Sequence, residues 1–187
     1  MPDRDPLVPM DGRLAAWVAG LAADESARAR ARTYWLRRQA EDEGTFVGVL
    51  ADLADRRRAV VVHLHNGRRH RGEIRVLGAD FIALETANHT SVIVHHRSVA
   101  SVRTAAGEPA TVGDRSVVTD VALAETLGAL AEERPRVLLI GDDATDSVRG
   151  ELRRAGRDVL TVRLDGDGGT AYVPLSSVAE ISLAESG

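Results

Sequence analysis

The chain of 187 residues contains no cysteine and no lysine, and aromatic residues make up only 3% of it. Without cysteine, disulfide bonds and thiolate metal sites are excluded. Because aromatic residues are scarce, any core must be built from Val, Leu, Ile and Ala. Since lysine is missing, every one of the 24 basic side chains is arginine.

Long apolar segments are also missing. No stretch approaches the roughly 20 consecutive apolar residues that a membrane-spanning helix needs. Residues 14–23 could imitate the apolar part of a signal peptide, but Asp3, Asp5 and Asp11 precede them where positive charge is expected. We therefore expect a cytoplasmic protein without membrane association.

The common catalytic motifs are absent as well. The sequence has no Gly-x-Ser-x-Gly element, no glycine-rich phosphate loop and no pair of carboxylates at a defining spacing. These absences favour a binding or structural protein over an enzyme. We expect no cofactor.

The most informative feature present is an internal repeat. Residues 71–82 have the sequence RGEIRVLGADFI, and residues 149–160 have the sequence RGELRRAGRDVL. Further matches join 50–55 to 127–132 and 98–102 to 177–181. A repeat of this kind predicts two copies of one small module.

The repeat suggests a division of the chain into five segments. Residues 1–11 are expected to form a flexible leader and 12–43 an amphipathic helix with apolar residues at helical spacing. A first module with its own helix covers 44–104. A linker, 105–119, then leads to a second module with its helix at 120–187.

Within the first module the apolar spacing changes from helical to alternating. Val60, Val62 and Leu64 alternate with less apolar residues, as in a half-buried strand. Asn66-Gly67 is a strong hairpin signal, and Gly72 suits a sharp bend. The predicted fold class is mainly β with helices (α+β): two tandem five-stranded antiparallel barrels of the SH3 type, each preceded by a helix, plus the long N-terminal helix.

The order of these motifs resembles the Sm-like family, and in particular the bacterial Sm-like RNA chaperone Hfq. The resemblance is carried by the V-x-L-x-N-G-x4-G-x-I pattern at 62–74, by Phe81-Ile82, and by the segment 94–102. It implies barrels that pair their edge strands into rings, and binding of single-stranded RNA without catalysis. A homo-oligomer is therefore expected.

The resemblance also implies roles for individual residues. His96 and Arg97 would contact a uridine, and Phe81 would stack on its base. His63 would lie on the opposite face of the oligomeric ring. Three arginines at the end of the preceding helix would contact phosphate: Arg56, Arg57 and Arg58. Stacking of this kind contributes about 1–3 kcal/mol per base.

The second copy departs from the pattern. It carries Pro174-Leu175-Ser176 in place of His95-His96-Arg97. Residues 59–104 contain six arginines, three acids and all six histidines, whereas residues 105–187 contain eight arginines and fifteen acids. The second module is thus expected to be a degenerate, acidic partner of a basic first module.

Other interpretations of these segments remain open. The barrels and the helix could form a protein-interaction or assembly module that binds no nucleic acid. The run from Val137 to Asp143 resembles the start of a response-regulator receiver domain, in which 147–156 would be a helix. The histidines could ligate a metal, although their spacing defines no site. The composition of the segment 165–169 is similar to that of a calcium-binding loop, but a hairpin turn is the expected structure.

Overall fold

The computed structural model describes residues 25, 28–88, 90–114, 121–166 and 168–183, and the chain divides into two compact units, Met1–Gly44 and Thr45–Gly187. In the first unit, residues 28–42 form helix α1. An ion pair of 3.1 Å between Arg37 and Glu41, one turn apart, supports it. The predicted leader 1–11 and the predicted helical residues 12–24 lie outside the described part of the chain.

The described residues of the second unit include two α-helices. Helix α2 spans Phe46–Arg56 and helix α3 spans Leu123–Glu132. The hydroxyl of Thr45 accepts a hydrogen bond of 3.0 Å from the amide of Gly48, which caps the start of α2. Arg57 ends this helix in the left-handed conformation, with φ of 49°. Each helix precedes the strands of one module, as the sequence predicts.

Among the described residues five strands follow α2 and five follow α3, which agrees with the predicted number of strands in each module. They are β1 Val60–Leu64, β2 Arg69–Leu77, β3 Phe81–Thr86, β4 Ser91–His95, β5 Val99–Arg103, β6 Arg136–Gly141, β7 Ser147–Ala155, β8 Val159–Leu164, β9 Thr170–Pro174 and β10 Val178–Leu183. Residues 46–103 are called the first repeat below, and residues 123–183 the second repeat.

The prediction of two closed five-stranded barrels is wrong. All ten strands form one open antiparallel sheet in the order β5-β1-β2-β3-β4-β10-β6-β7-β8-β9. Closing the first repeat would require β4 to pair with β5. Instead β4 pairs with β10 of the second repeat, with Val94 opposite Glu180 and Ser91 opposite Leu183. The sheet therefore keeps two outer strands, β5 and β9.

The repeat found in the sequence is visible in the strands. β2 and β7 have the same pattern of buried and exposed residues, and each shifts register after the equivalent residue, Ile74 or Leu152. A side chain at Gly72 would collide with the carbonyl of Glu85, and Gly150 is confined in the same way by Arg163. Because 147–155 is an antiparallel strand, the receiver-domain interpretation is wrong.

The sheet buries a separate core on each face. One cluster joins α2, including Leu50, to strands of the first repeat. The other joins α3, including Leu127, to strands of the second repeat. Strand β10 contributes to both faces, since Ile181 lies in the α3 cluster while Glu180 is paired with Val94 of the α2 cluster. Each repeat therefore covers part of the other.

The described part of the linker packs along α2. The amide of Thr45 donates to the carbonyl of Gly113 at 2.9 Å, and the hydroxyl of Thr111 donates to the carboxylate of Asp52. The guanidinium of Arg56 donates to the carbonyl of Pro109 at 2.7 Å. These bonds return the chain from β5 along the helix on which the first repeat is built.

Candidate interaction site at the junction of the repeats

The two repeats meet where strands β4 and β10 pair. We call the contacts between the first and second repeats the junction. Ile93 of β4 lies directly opposite Ile181 of β10, and both side chains are buried. Directly opposed apolar side chains of neighbouring strands stabilise a sheet by about 0.2–1 kcal/mol per pair. The junction is thus a continuous part of the sheet.

The apolar side of the junction is built from both repeats. Phe81 and Ile93 of the first repeat belong to the core cluster that otherwise consists of second-repeat residues, among them Leu123 of α3. The amide of Leu123 donates to the carboxylate of Asp80 at 2.7 Å, which holds the start of α3 against the first repeat. A helix start leaves amide groups without partners inside the helix, and this carboxylate satisfies one of them.

The polar side of the junction centres on Glu180. Its side chain is fully buried, with 0% exposure. The guanidinium Nε of Arg68 lies 2.6 Å from its Oε1, and Nε2 of His70 contacts its Oε2. Both partners belong to the first repeat. A buried carboxylate needs such partners, because an unpaired buried charge costs several kcal/mol.

Two further hydrogen-bonding groups of the first repeat reach the second. Arg97 donates to the carboxylate of Asp142 at 2.9 Å and to the carbonyl of Val178 at 3.1 Å. The side-chain amide Nδ2 of Asn66 donates to the carbonyl of Gly141 at 3.1 Å. At this junction, cationic groups of the first repeat meet anionic groups of the second. Part of the opposite charge of the two modules is therefore neutralised by contacts inside the molecule.

Three apolar residues that are buried at the junction have exposed counterparts in the other repeat. Phe81 is 2% exposed and its counterpart Val159 is 37% exposed. Ile93 is 4% exposed, whereas Tyr172, its counterpart on the outer strand β9, is 73% exposed. Leu123 at the start of α3 is 1% exposed, and Phe46 at the start of α2 is 44% exposed. The residues left exposed at the outer ends of the sheet are thus the equivalents of residues that are buried at the junction.

Basic side chains cover the outer end of the first repeat. In β1, Val60, Val62 and Leu64 are buried, so His63 lies on the opposite face. Its partners there are Arg69 of β2 and Ser101 of β5. Arg71 and Arg103 flank Val61 on the same face. We call these four basic residues the basic face: His63, Arg69, Arg71 and Arg103.

Three histidines of the first repeat have lowered pKa values. Burial, followed by the charges of Arg103 and Arg69, lowers the pKa of His63. Burial is also the main cause of the lowered pKa of His95 and of His96. It outweighs the opposing charge of Asp80 at His95, and at His96 it outweighs a hydrogen bond with the backbone of Phe81 and the charge of Asp80. Nε2 of His96 is buried without a hydrogen-bond partner among the described residues. These rings are therefore held in the neutral form more strongly than free histidine.

The residues predicted to bind RNA do not form one site. Of these residues Phe81 and His96 lie together, since the neighbouring His95 is opposite Phe81 and the backbone amide of His96 donates to the carbonyl of Asp80. Phe81 is buried in the core, so its ring is not available for stacking on a base in this structure. Arg97 is engaged at the junction.

The remaining predicted residues lie elsewhere. Arg56 is bonded to Pro109, and Arg58 lies 3.5 Å from the carboxylate of Glu108. Arg57 is exposed at the end of α2. His63 lies on the basic face. The structure thus separates the helix-end arginines, the buried group around Phe81 and the basic face.

Sequence comparison of the modules did not single out the junction residues. Glu180 aligns with Ser101, and a single acid at one aligned position carried no special signal. Arg68 precedes β2 in a run of basic residues, and its sequence context does not distinguish it from the arginines around it. The signal that could have located the junction was the opposite charge of the two modules, since oppositely charged copies in one chain can pair.

Family models and curated proteins both yield no match to this chain. The resemblance to Sm-like proteins therefore stays a prediction. In the described part of the chain, no helix is both long and apolar enough to span a bilayer. The same residues contain no group of three or more His, Asp or Glu side chains placed to hold a metal ion.

Proposed function

We propose that this protein is a non-catalytic assembly module that joins head to tail with further copies of itself. In this assembly β9 of one copy pairs antiparallel with β5 of the next, as β4 pairs with β10 inside the chain. The observation that carries the proposal is the exposure of Val159, Tyr172 and Phe46, whose counterparts are buried at the junction. A head-to-tail interface produces a ring when its rotation closes and a filament when it does not.

The internal junction specifies the register of the proposed contact. Glu180 and Ile181 of β10 correspond to Ser101 and Val102 of β5. Transferring the β4–β10 register places Val102 opposite Tyr172 and Ser101 opposite Val173 in the next copy. The start of α2, with Phe46, then covers Val159 as the start of α3 covers Phe81.

Burial of these exposed apolar side chains would supply part of the free energy of a specific complex. Burying a side chain of the size of Val or Phe contributes about 1.5–3 kcal/mol. Three such side chains are a substantial part of the ~8 kcal/mol that a micromolar complex requires. Backbone hydrogen bonds between the two outer strands add to them, since an unpaired strand edge is a template for another strand.

The proposal is tested by measuring molar mass by light scattering for the wild type and two variants. Tyr172→Asp places a charge on the outer strand and should reduce the mass to that of one chain. Val76→Asp is the matched control, because Val76 is also exposed and apolar but has no buried counterpart at the junction. It should leave the assembly intact. A wild type that stays monomeric at its highest soluble concentration would refute the proposal.

A second function, single-stranded RNA binding on the basic face, is supported by one observation. Among the described residues, Arg69, Arg71 and Arg103 form no ion pair with a carboxylate, and His63 lies between two of them. Neutralising phosphates with such side chains gives an affinity that falls steeply with salt. We propose this function as the alternative to self-assembly, because both would use strand β5, which carries Arg103.

The alternative is tested by filter binding of U-rich and A-rich RNA at increasing salt concentration. Replacing Arg69, Arg71 and Arg103 with Ala should abolish salt-dependent binding. The matched control replaces three exposed arginines of the second repeat with Ala: Arg154, Arg157 and Arg163. Equal losses in the two triple variants would show bulk polyanion binding and exclude a site on the basic face.

A further inference from the structure

The second repeat contains a cavity of about 240 Å³ near the outer strand β9. Its floor is apolar, and three acids of the turn between β6 and β7 line its rim. The lining includes Leu139, Val148, Val173, Asp142, Asp143 and Asp146. We call residues 142–146 the acidic turn. Asp142 is already paired with Arg97, but Asp143 and Asp146 form no ion pair with the described residues.

The first repeat has the same site, and there it is occupied. The hydrogen bond from Gly141 to the carbonyl of Asp146 matches the one from Leu64 to the carbonyl of Arg68, so Asp146 is the counterpart of Arg68. Val148 is likewise the counterpart of His70. In the first repeat, Arg68 and His70 hold the carboxylate of Glu180. The cavity of the second repeat is therefore the empty equivalent of a site that receives a strand from a neighbouring repeat.

The charge at the empty site is the reverse of the charge at the filled one. A cation at Arg68 has become an anion at Asp146, and no carboxylate stands at Ser101, the counterpart of Glu180. Arg103 of the basic face lies two residues after Ser101 in β5. The two side chains are therefore on the same side of the sheet. In the β9–β5 register Arg103 lies opposite Ala171, on the face that Ser101 presents to the cavity.

We propose that the acidic turn and its cavity receive the basic face of a second copy, with Arg103 placed between Asp143 and Asp146. This inference rests on the proposed self-assembly and names the recognition at that contact. Backbone and hydroxyl groups of Thr145 donate to Asp143 and lower the pKa of its carboxyl group, so the turn is anionic at neutral pH.

The reversal of charge sets the order of the repeats. A first repeat that docked on another first repeat would bring Arg68 against the basic face. A second repeat that docked on another second repeat would bring Asp146 against Glu180. Like charges across an interface oppose association, so only the alternation of first and second repeats is favourable. The opposite charges of the modules thereby select the contact partner.

The test is a charge exchange followed by measurement of the dissociation constant of the assembly. Asp143→Arg with Asp146→Arg should weaken assembly on the order of 100-fold, and Arg69→Asp with Arg103→Asp should do the same. All four changes in one chain restore opposite charges across the contact and should restore assembly. The control, Glu132→Arg with Glu133→Arg, changes the net charge equally at exposed positions of α3 and its end. It should have no effect.

The outcomes separate this inference from the proposal on which it rests. If the acidic-turn variant assembles with the same affinity as the wild type, the contact between Arg103 and the acidic turn is refuted, but the proposed strand pairing is not. A monomeric wild type would overturn both. If the fourfold variant stays dissociated while circular dichroism shows it folded, the pairing of the two charged surfaces is refuted. Displacement of the second copy by RNA would assign the basic face to nucleic acid instead.

Discussion

The two repeats have the same strands, the same bulge and the same bend, yet equivalent apolar residues differ in exposure where the repeats meet. In the first repeat, Phe81 and Ile93 are covered by the second repeat. In the second repeat, the equivalent Val159 and Tyr172 are exposed. The comparison shows that the duplicated fold is conserved inside the protein, whereas the contact surfaces reflect each repeat's position in the chain.

The sharpest test of this comparison is truncation of equivalent residues. Phe81→Ala removes a buried ring at the junction and should lower the free energy of unfolding by about 4 kcal/mol. Val159→Ala, at the equivalent exposed position, should lower it by less than about 1 kcal/mol. Urea unfolding at a protein concentration below that needed for assembly measures both. Equal losses would mean that the two positions have the same surroundings in solution.

The polar side of the junction can be tested in the same way. Glu180→Ala leaves Arg68 and His70 without their carboxylate and should lower the free energy of unfolding by about 3 kcal/mol. Glu151→Ala removes a partly exposed partner of Arg153, 2.7 Å away, and should cost less than about 1 kcal/mol. Thermal unfolding of both variants checks the difference. A Glu180 variant as stable as the Glu151 variant would show that the buried contact does not hold the repeats together.

The smallest expected effect is a pH dependence confined to the first repeat. His95 and His96 have lowered pKa values in the folded chain, so the unfolded chain binds more protons below about pH 6.5. Their contribution to stability is complete above that pH and is lost as the pH falls toward the lowered values. Comparing urea midpoints at about pH 7.5 and about pH 5.5 measures the loss.

His96→Leu is the matched variant, because the second repeat has Leu175 at this position. It should reduce the difference between the two midpoints. An unchanged difference would mean that His96 does not contribute to the pH dependence of stability.

The positions of the strands and helices could be predicted from the sequence because alternation and the repeat report local structure directly. The closure of the sheet could not. The same five strands are compatible with β4 pairing to its own β5 or to the strand of another repeat, and the apolar pattern is equal in both cases. Phe81 illustrates the consequence: its place in a strand was predictable, but its burial depends on a helix that begins at Leu123.

The candidate site was only partly predictable for the same reason. Arginines and histidines of the first repeat could be recognised as a basic surface, and His63 does lie on it. The partners of these side chains could not be inferred, since Arg68 pairs with Glu180 and Arg97 pairs with Asp142, and both acids are distant in sequence. Charges that are neutralised inside a protein look identical in sequence to charges that are offered to a ligand.

The covalent link between the repeats has a consequence for how assembly would respond to the amount of protein. Contacts inside one chain form at the high effective concentration that a short tether provides, whereas contacts between chains obey mass action. The paired repeats would therefore persist on dilution, and growth beyond them would begin only above a threshold abundance. Every closed assembly would also contain an even number of repeats, with as many first repeats as second repeats.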